Sequence, residues 1–406
     1  MEVALEPIWV DSNVVLADLC DKWSGQSAIA VDTEFMRVST FYPIAGLIQI
    51  GDGTGCYLID PLSITDFSPL KALFSNACVT KVLHACSEDL EVFLRLLGVV
   101  PTPVFDTQIA AALCGYGFSV GYAGLIAAAL GVEIEKGETR SDWLRRPLSV
   151  SQLKYAALDV GYLFVAYGRL RVELESLGRL PWVLADCEKL GAGLGSEPGS
   201  QPVSDGQLST QQVATQELST LSTTGGALEY AQAYIKVKSA WKLTRQELAI
   251  LQRLASWRES CARERDLPRN RLLKERALWD IAKLKPKTES HLQRVEGLVP
   301  RMIHRDGEAI LSIVKAGLAV ESIDLPERLP MPLPPEQGDR LKALKVAVRL
   351  LAEDLKLPPE MLARKKDYEF IVRSGMNDGV FALPPSINGW RHAVVGKILL
   401  EAAADF

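Results

Sequence analysis

The sequence predicts an α/β domain, a mixed sheet flanked by helices, followed by two small all-helical bundles. Three observations carry that prediction. Short apolar runs of strand character crowd into the first sixty residues and then alternate with helical periodicity. A Gly-, Ser-, Thr- and Gln-rich stretch with few large apolar residues interrupts the chain after residue 190. Beyond it the pattern is helical, punctuated by Pro268, Pro286 and Pro300 and by the cluster Leu329-Pro-Met-Pro-Leu-Pro-Pro335.

In chain order, Ser27 to Phe35 reads as a buried strand. Gly46 to Ile50 and Cys56 to Ile59 follow, separated by Gly-Asp-Gly-Thr-Gly, so three strands in a meander are predicted. A helix ending at Phe74, a strand over Val79 to Leu83 and a helix over Ser87 to Leu97 come next. Thr107 to Leu113, Tyr122 to Leu130 and Ser151 to Leu177 read as helices, the last capped by Ser149 or Ser151. Downstream, helices are predicted over Leu248 to Cys261, Arg271 to Lys283 and Gly307 to Ala316. A third unit starts with a long helix over Arg340 to Leu355, and its Leu357-Pro358 repeats Leu267-Pro268. The boundaries expected are a first domain over 1–190, a flexible polar linker over 191–235, a basic helical domain over 236–322, a Pro-rich linker over 323–338 and a last helical domain over 339–406.

A hydrophobic share of 48% with 23% charged residues belongs to a globular protein, not a disordered or fibrous one. No apolar run reaches the roughly 18 residues a spanning helix needs, and the first ten residues lack a basic start followed by an apolar stretch. The expected address is the cytoplasm, with no membrane partner. Seven scattered cysteines without a Cys-x-x-Cys pair argue against a disulfide framework and against a zinc site, and read as buried free thiols. The net charge of −5 conceals a division: −9 over 1–190, −4 over 191–235, +9 over 236–306 and −1 over 307–406. An acidic block ahead of a basic one suits cation binding or acid chemistry in the first and a polyanion on the second; a solvated helical surface is the plainer explanation of the same charges.

Three acidic groups stand out. In Val31-Asp-Thr-Glu-Phe35, Asp32 and Glu34 are two apart on a strand and project from one face. Side by side at the end of an apolar strand, they are costly unless a cation lies between them, and divalent Mg²⁺ or Mn²⁺ prefers oxygen ligands. An edge-strand or turn pair is the alternative. The second group, Glu88, Asp89 and Glu91, lies in the first turn of a predicted helix, where acids complement the helix dipole, and that explanation does not choose among them. In the third, Tyr155 and Asp159 stand at i and i+4 on one face of an apolar helix. With an ordinary pKa of about 10, a tyrosine is a poor base at neutrality, so its useful role is to orient a water by hydrogen bonding. Asp106 and Asp142 read as caps or packing residues and His84 as a structural histidine, while Cys86 lacks the basic neighbour a thiolate nucleophile needs.

In order and spacing these groups resemble the motifs of the DEDDy 3′→5′ exonucleases, and among them the bacterial ribonuclease D family. Beyond Val31 to Phe35, Lys81 to Phe93 and Tyr155 to Asp159, the resemblance takes in Thr40-Phe-Tyr-Pro43, Leu47-Ile-Gln-Ile50, Phe105-Asp-Thr-Gln108 and Ser141-Asp-Trp-Leu-Arg-Arg-Pro147. It implies a ribonuclease H-like fold for the first domain. It also implies that Asp32, Glu34, Asp89 and Asp159 hold two divalent ions, Mg²⁺ or Mn²⁺, with Tyr155 as the catalytic phenol beside them. The activity implied is 3′→5′ hydrolysis of RNA to nucleoside 5′-monophosphates, trimming tRNA precursors and other small structured RNAs. Lys236 to Leu243, Leu254 to Glu259 and Ala262 to Arg269 resemble the first HRDC domain of that family, a small nucleic-acid-binding bundle; Trp257, Arg258, Arg263, Arg265, Arg269 and Arg271 are its candidate RNA contacts. Residues 339–404 resemble a second, more divergent HRDC domain, whose near-neutral charge weakens the case for direct RNA contact. The polar stretch 191–226 is longer than the family pattern leads one to expect. A monomer is expected. The rivals are a 3′→5′ DNA exonuclease, since selectivity lies in contacts to the 2′-hydroxyl, and a nucleic-acid-binding scaffold with a dead nuclease domain, against which the complete set of four acids and tyrosine argues.

Overall fold

A six-stranded mixed sheet organises the amino-terminal part. Its strands are β1 (Ile8–Val10), β2 (Ala28–Met36), β3 (Ile44–Gly51), β4 (Cys56–Ile59), β5 (Thr80–Leu83) and β6 (Val104–Asp106), in the spatial order β1-β4-β3-β2-β5-β6. The expected meander β2-β3-β4 is antiparallel, while β5 joins β2, β6 joins β5 and β1 joins β4 in parallel. The computed structural model describes residues 6–134, 137–138, 141–192 and 230–405; of the polar linker expected over 191–235, residues 193–229 lie outside the described residues.

β2 shows how the sequence builds two apolar layers. Ile29 and Val31 face one side, packed with Leu16 and Trp23 of α1 (Asn13–Ser24), Leu70 and Phe74 of α2 (Ser68–Ser75) and Leu90 and Phe93 of α3 (Ser87–Leu97). Ala28 and Ala30 face the other, against Ala110 of α4 (Thr107–Cys114), Leu125 of α5 (Tyr122–Leu130) and Ala157 and Val160 of α6 (Val150–Ser176). Small residues on this second face let α6 lie close to the sheet, so the next even-numbered positions of β2, Asp32 and Glu34, point toward α6. A capping box starts α6: the Ser149 hydroxyl accepts from the Gln152 N–H and the Gln152 side chain accepts from the Ser149 N–H. After it comes α7 (Leu180–Cys187).

Two compact units form, and they do not follow chain order. The second comprises residues 37–42 and, among described residues, 230–332. It holds α8 (Arg245–Glu264), α9 (Arg269–Leu272), α10 (Glu275–Leu284), α11 (Glu289–Leu292) and α12 (Pro300–Leu318) around Leu248, Leu251, Leu254, Leu278 and Ile310. Among described residues it includes chain before the expected 236: a 3-10 turn over Ala233–Lys236 buries Tyr234 in this core. Phe41, from the segment between β2 and β3, is buried in the same core, its N–H and that of Tyr42 donating to Asp266 at 2.8 and 2.9 Å.

Residues 333–405 belong to the first unit, with the sheet. They form α13 (Gly338–Leu355), α14 (Pro359–Leu362), α15 (Lys365–Ser374), α16 (Gly389–Arg391) and α17 (Lys397–Ala404), and their Leu344, Val348, Leu362 and Ile371 share one apolar cluster with Ala110 and Leu113. Polar contacts fasten them to α7. Arg391 grips Asp186 through two bonds of 2.7 Å, Trp390 stacks on Trp182 with ring centroids 4.5 Å apart, and Arg179 donates to the Leu113 and Leu355 carbonyls. All seven cysteines are free; five are buried, Cys114 is partly so, and Cys78 is exposed against expectation because it lies in the turn before β5. Among described residues no helix is long and apolar enough to cross a membrane.

Candidate active site

Asp32 and Glu34 leave β2 on the α6 side, and Asp159 meets them from α6. One carboxylate oxygen from each of the three lies within 4.8 Å of the others. The approach of α6 depends on Gly51, the partner of Ala30 across the sheet: a Cβ there would stand 2.8 Å from the Val160 carbonyl oxygen. Gly51→Ala is therefore expected to push α6 outward, costing about 1–3 kcal/mol of stability and lowering kcat roughly a hundredfold by displacing Asp159 from the β2 acids; paired melting curves and single-turnover rates check both.

Tyr155, one turn before Asp159, hydrogen-bonds to its carboxylate, and its ring lies 6.2 Å, centroid to centroid, from Trp143. The Tyr122 hydroxyl donates to the Leu158 and Asp159 carbonyls at 2.9 and 2.5 Å, fixing the α6 backbone where the acid emerges. Of the three acids at the start of α3, Asp89 is buried and Glu88 exposed. Asp89 stands outside the group of three: its Oδ1 accepts the Thr33 hydroxyl at 2.5 Å, yet it is near enough to raise the pKa values of Asp32 and Glu34.

Burial first, then mutual repulsion, holds Asp32 well above the ordinary carboxylate range and lifts Glu34 to about 8. Burial likewise raises Asp89 and Asp159, opposed by the hydrogen bonds from Thr33 and Tyr155. The Tyr155 phenol is pushed far above its usual value by burial and by the Asp159 charge, so it stays protonated at neutrality. Among described residues none of the four acids is ion-paired with a lysine or arginine. Such a cluster suits an oxygen-loving divalent cation, which removes the repulsion and the desolvation cost together.

The remaining candidates have structural work. Asp106 caps α4, accepting from the Gln108 and Ile109 N–H groups, and also ties down the Ala85 and Cys86 N–H groups ahead of α3. Asp142 accepts from the Leu144 N–H. His84 has both ring nitrogens engaged, by Thr107 and the Val120 carbonyl. Thr33 and Tyr122 are site residues that sequence reading missed; Tyr122 opens a predicted helix, but nothing local says that its hydroxyl reaches α6.

The basic candidates of the second unit differ in exposure and partners. Trp257 and Arg258 are both 7% exposed, the first as part of the apolar core and the second pointing at the Leu273 carbonyl, so neither is placed to meet RNA. Arg263 is pinned to Glu259 at 2.6 Å between the rings of Phe41 and Tyr230, and Arg265 to Asp306 at 2.8 Å. Arg269 and Arg271 are exposed, although Arg269 also bridges to Glu259. Much of the basic charge of this segment is spent on its own acids.

A mixed sheet whose second strand and long covering helix bring carboxylates together defines a nuclease-type site. A family profile described as 3′-5′ exonuclease matches residues 7–175, and an HRDC domain profile matches residues 247–314. The chain belongs to the ribonuclease D family. It is 42% identical over 394 residues to the ribonuclease D of Pseudomonas paraeruginosa, covering 97% of this chain and 96% of that protein, and 37% identical over 399 residues to that of Escherichia coli K12, covering 97% and 96%. The crystal structure of Escherichia coli RNase D, described as an exoribonuclease involved in structured RNA processing, superposes with a TM-score of 0.83 at 35% identity, covering 99% of both chains. The protein is a 3′→5′ exoribonuclease, a hydrolase of phosphodiester bonds.

Proposed function

We propose that this exonuclease trims the 3′ ends of tRNA precursors and other small structured RNAs in the cytoplasm, using two divalent ions, Mg²⁺ or Mn²⁺, held by Asp32, Glu34, Asp89 and Asp159. The observation that carries the proposal is the convergence of the Asp32, Glu34 and Asp159 oxygens within 4.8 Å, with Tyr155 bonded to Asp159. Bound ions would supply Lewis-acid stabilisation of the charge on the attacking and leaving oxygens of the phosphodiester.

The protein's own groups do the rest. Asp32, Glu34 and Asp159 would hold the ions at the meeting of β2 and α6, and Asp89 would complete the set once its carboxylate turns from Thr33. Tyr155, kept protonated, donates its one hydrogen to Asp159 and offers its phenol oxygen as acceptor to the attacking water, aligning it rather than removing its proton. Tyr122 holds the Asp159 backbone, so the acid and the phenol move as one. All five residues come from one chain, so a monomer suffices. In the second unit Arg269 and Arg271 are the exposed candidates for phosphate contact. Support for RNA as substrate comes from the relatives' names; the site acids alone serve either sugar.

With Mn²⁺ and a tRNA carrying a short 3′ tail, the expected products are nucleoside 5′-monophosphates released until the tail is consumed, with none released in chelator. Tail removal undiminished by chelator, or a matched DNA tail degraded faster than the RNA one, would overturn the proposal.

A further inference from the structure

Over residues 307–406 the net charge of −1 hides a strongly basic turn. Arg364, Lys365 and Lys366 follow one another at the start of α15, all exposed. Cations there oppose the helix dipole, so the helix start itself does not call for them. Asp367, the acid of that turn, is buried and already satisfied by the Arg364 N–H at 2.7 Å and the Ser386 hydroxyl at 2.5 Å. Lys365 pairs with Glu369, while among described residues Arg364 and Lys366 form no ion pair.

Both line a groove of about 560 Å³ bounded on its other side by α4 and by the loop 115–121. On that loop Phe118 is 42% exposed, held out between Gly117 and Ser119, whose φ values are +117° and +54°. The Arg364 guanidinium lies over its ring, 5.7 Å from the centroid. The other charges of the groove are largely answered: Asp186 is gripped by Arg391, and Lys189 is held by Asn388 and Asp186. Glu360 is the acid left over. One short run of chain leads from the groove loop to the residue that holds Asp159. Val120 carries the carbonyl bonded by His84 and Gln108, and Tyr122, two residues on, holds the Asp159 backbone.

We infer that this groove carries the single-stranded RNA leading to the acids, with one nucleobase stacked on Phe118 and the flanking phosphates met by Arg364 and Lys366. An exposed ring beside a guanidinium and a lysine that form no ion pair among the described residues is the arrangement that binds single strands without regard to sequence. The helical unit at the carboxy terminus thus contributes directly to substrate binding. The inference rests on the exoribonuclease reading and deepens it.

The test uses full-length protein carrying Asp32→Asn, without divalent ions, and 5′-fluorescein oligoadenylates of 4, 8 and 12 nucleotides read by anisotropy. Phe118→Ala is expected to weaken the longer strands about tenfold, the loss of one stacked base, with the ratio to the parent protein shrinking at 4 nucleotides; Phe118→Trp restores affinity. The pair Arg364→Glu and Lys366→Glu is expected to flatten the salt dependence of log K by about 1.4, the signature of two lost phosphate contacts on a single strand. In otherwise wild-type protein, Phe118→Ala should raise KM on tailed RNA and leave kcat within about twofold, because the stack forms equally in ground and transition states. Unchanged affinity and salt slope in properly folded variants would overturn the inference and leave the exonuclease standing. Full hydrolysis failure of the wild-type protein on RNA would strike the exonuclease reading instead. A groove that takes up a protein segment and not RNA would show parent-like strand affinity in both variants, which also overturns it.

Discussion

Asp32→Asn is expected to lower the rate of 3′-nucleotide release about a thousandfold or more, with the fold intact. One Asp32 carboxylate oxygen lies within 4.8 Å of those of Glu34 on its own strand and Asp159 on α6, and Asp89, Asp159 and Glu34 all raise its pKa. An amide keeps its shape and removes the negative charge that a cation needs. Lewis-acid stabilisation of the phosphodiester is worth several kcal/mol, and each 1.4 kcal/mol is a decade in rate. The same exchange removes a carboxyl that in the folded apo protein must either keep a proton the unfolded chain would release or bear a repelled charge, so the variant should melt at or above the wild-type temperature in chelator. That opposite movement of activity and stability separates a ligand from a packing residue, because a packing defect lowers both. Single-turnover rates with Mn²⁺ and melting curves without it read the two quantities; hydrolysis within tenfold of wild type would remove Asp32 from the proposed cation site.

The site was legible in the sequence to the extent that its chemistry is carried by spacing. Two acids at i and i+2 on a strand and a tyrosine and acid at i and i+4 on a helix state their faces without any tertiary knowledge, and β2 and α6 form where the patterns put them. What local pattern could not supply was the choice among Glu88, Asp89 and Glu91, since all three suit a helix start equally and only burial separates them. Thr33 and Tyr122 were invisible for a related reason, because their partners lie far away along the chain.

In the fold, β1 and β6 are three residues each, too short for a period to show, and both owe their existence to a parallel neighbour. Pro300, taken as a break, is the first residue of α12, where its missing N–H costs nothing, so that helix begins seven residues before the expected Gly307. Conversely, the single helix expected over Arg271 to Lys283 is split: Leu273 is extended at φ −159°, which lets Leu272 and Leu273 both turn inward. The arginines named as candidate RNA contacts show the limit of charge counting. Arg258, Arg263 and Arg265 are drawn inward by Glu259 and Asp306, and a tally of basic residues cannot see which charges have internal partners.

In chelator, the protein is expected to lose stability as pH rises from about 5 to 8, and divalent ions should restore it most at the upper end. Glu34 has its pKa lifted from an ordinary 4.5 to about 8, and Asp32, Asp89 and Asp159 shift the same way. Between those values the folded chain keeps protons that the unfolded chain has released, so stability falls with rising pH across that window, by a few kcal/mol in order of magnitude for Glu34 alone. His84 acts in the other direction, since burial lowers its pKa below 6.5 and its neutral ring favours the folded state as pH climbs to that point. Asp52 and Asp60, held low by hydrogen bonds from Lys22 and Arg146 among others, lose their contribution only below the ordinary carboxylate range. The acid cluster is therefore isolated by difference: Glu34→Gln should show a shallower fall in melting temperature from pH 6.5 to 8 than the wild type. Adding Mn²⁺ to the wild type should raise the melting temperature more at pH 8 than at pH 5.5, because at the lower pH cation and protons compete for the same oxygens. Equal stabilisation by Mn²⁺ at both pH values, together with parallel melting profiles for wild type and Glu34→Gln, would mean that the carboxyls do not hold the protons assigned to them and that the cation binds elsewhere.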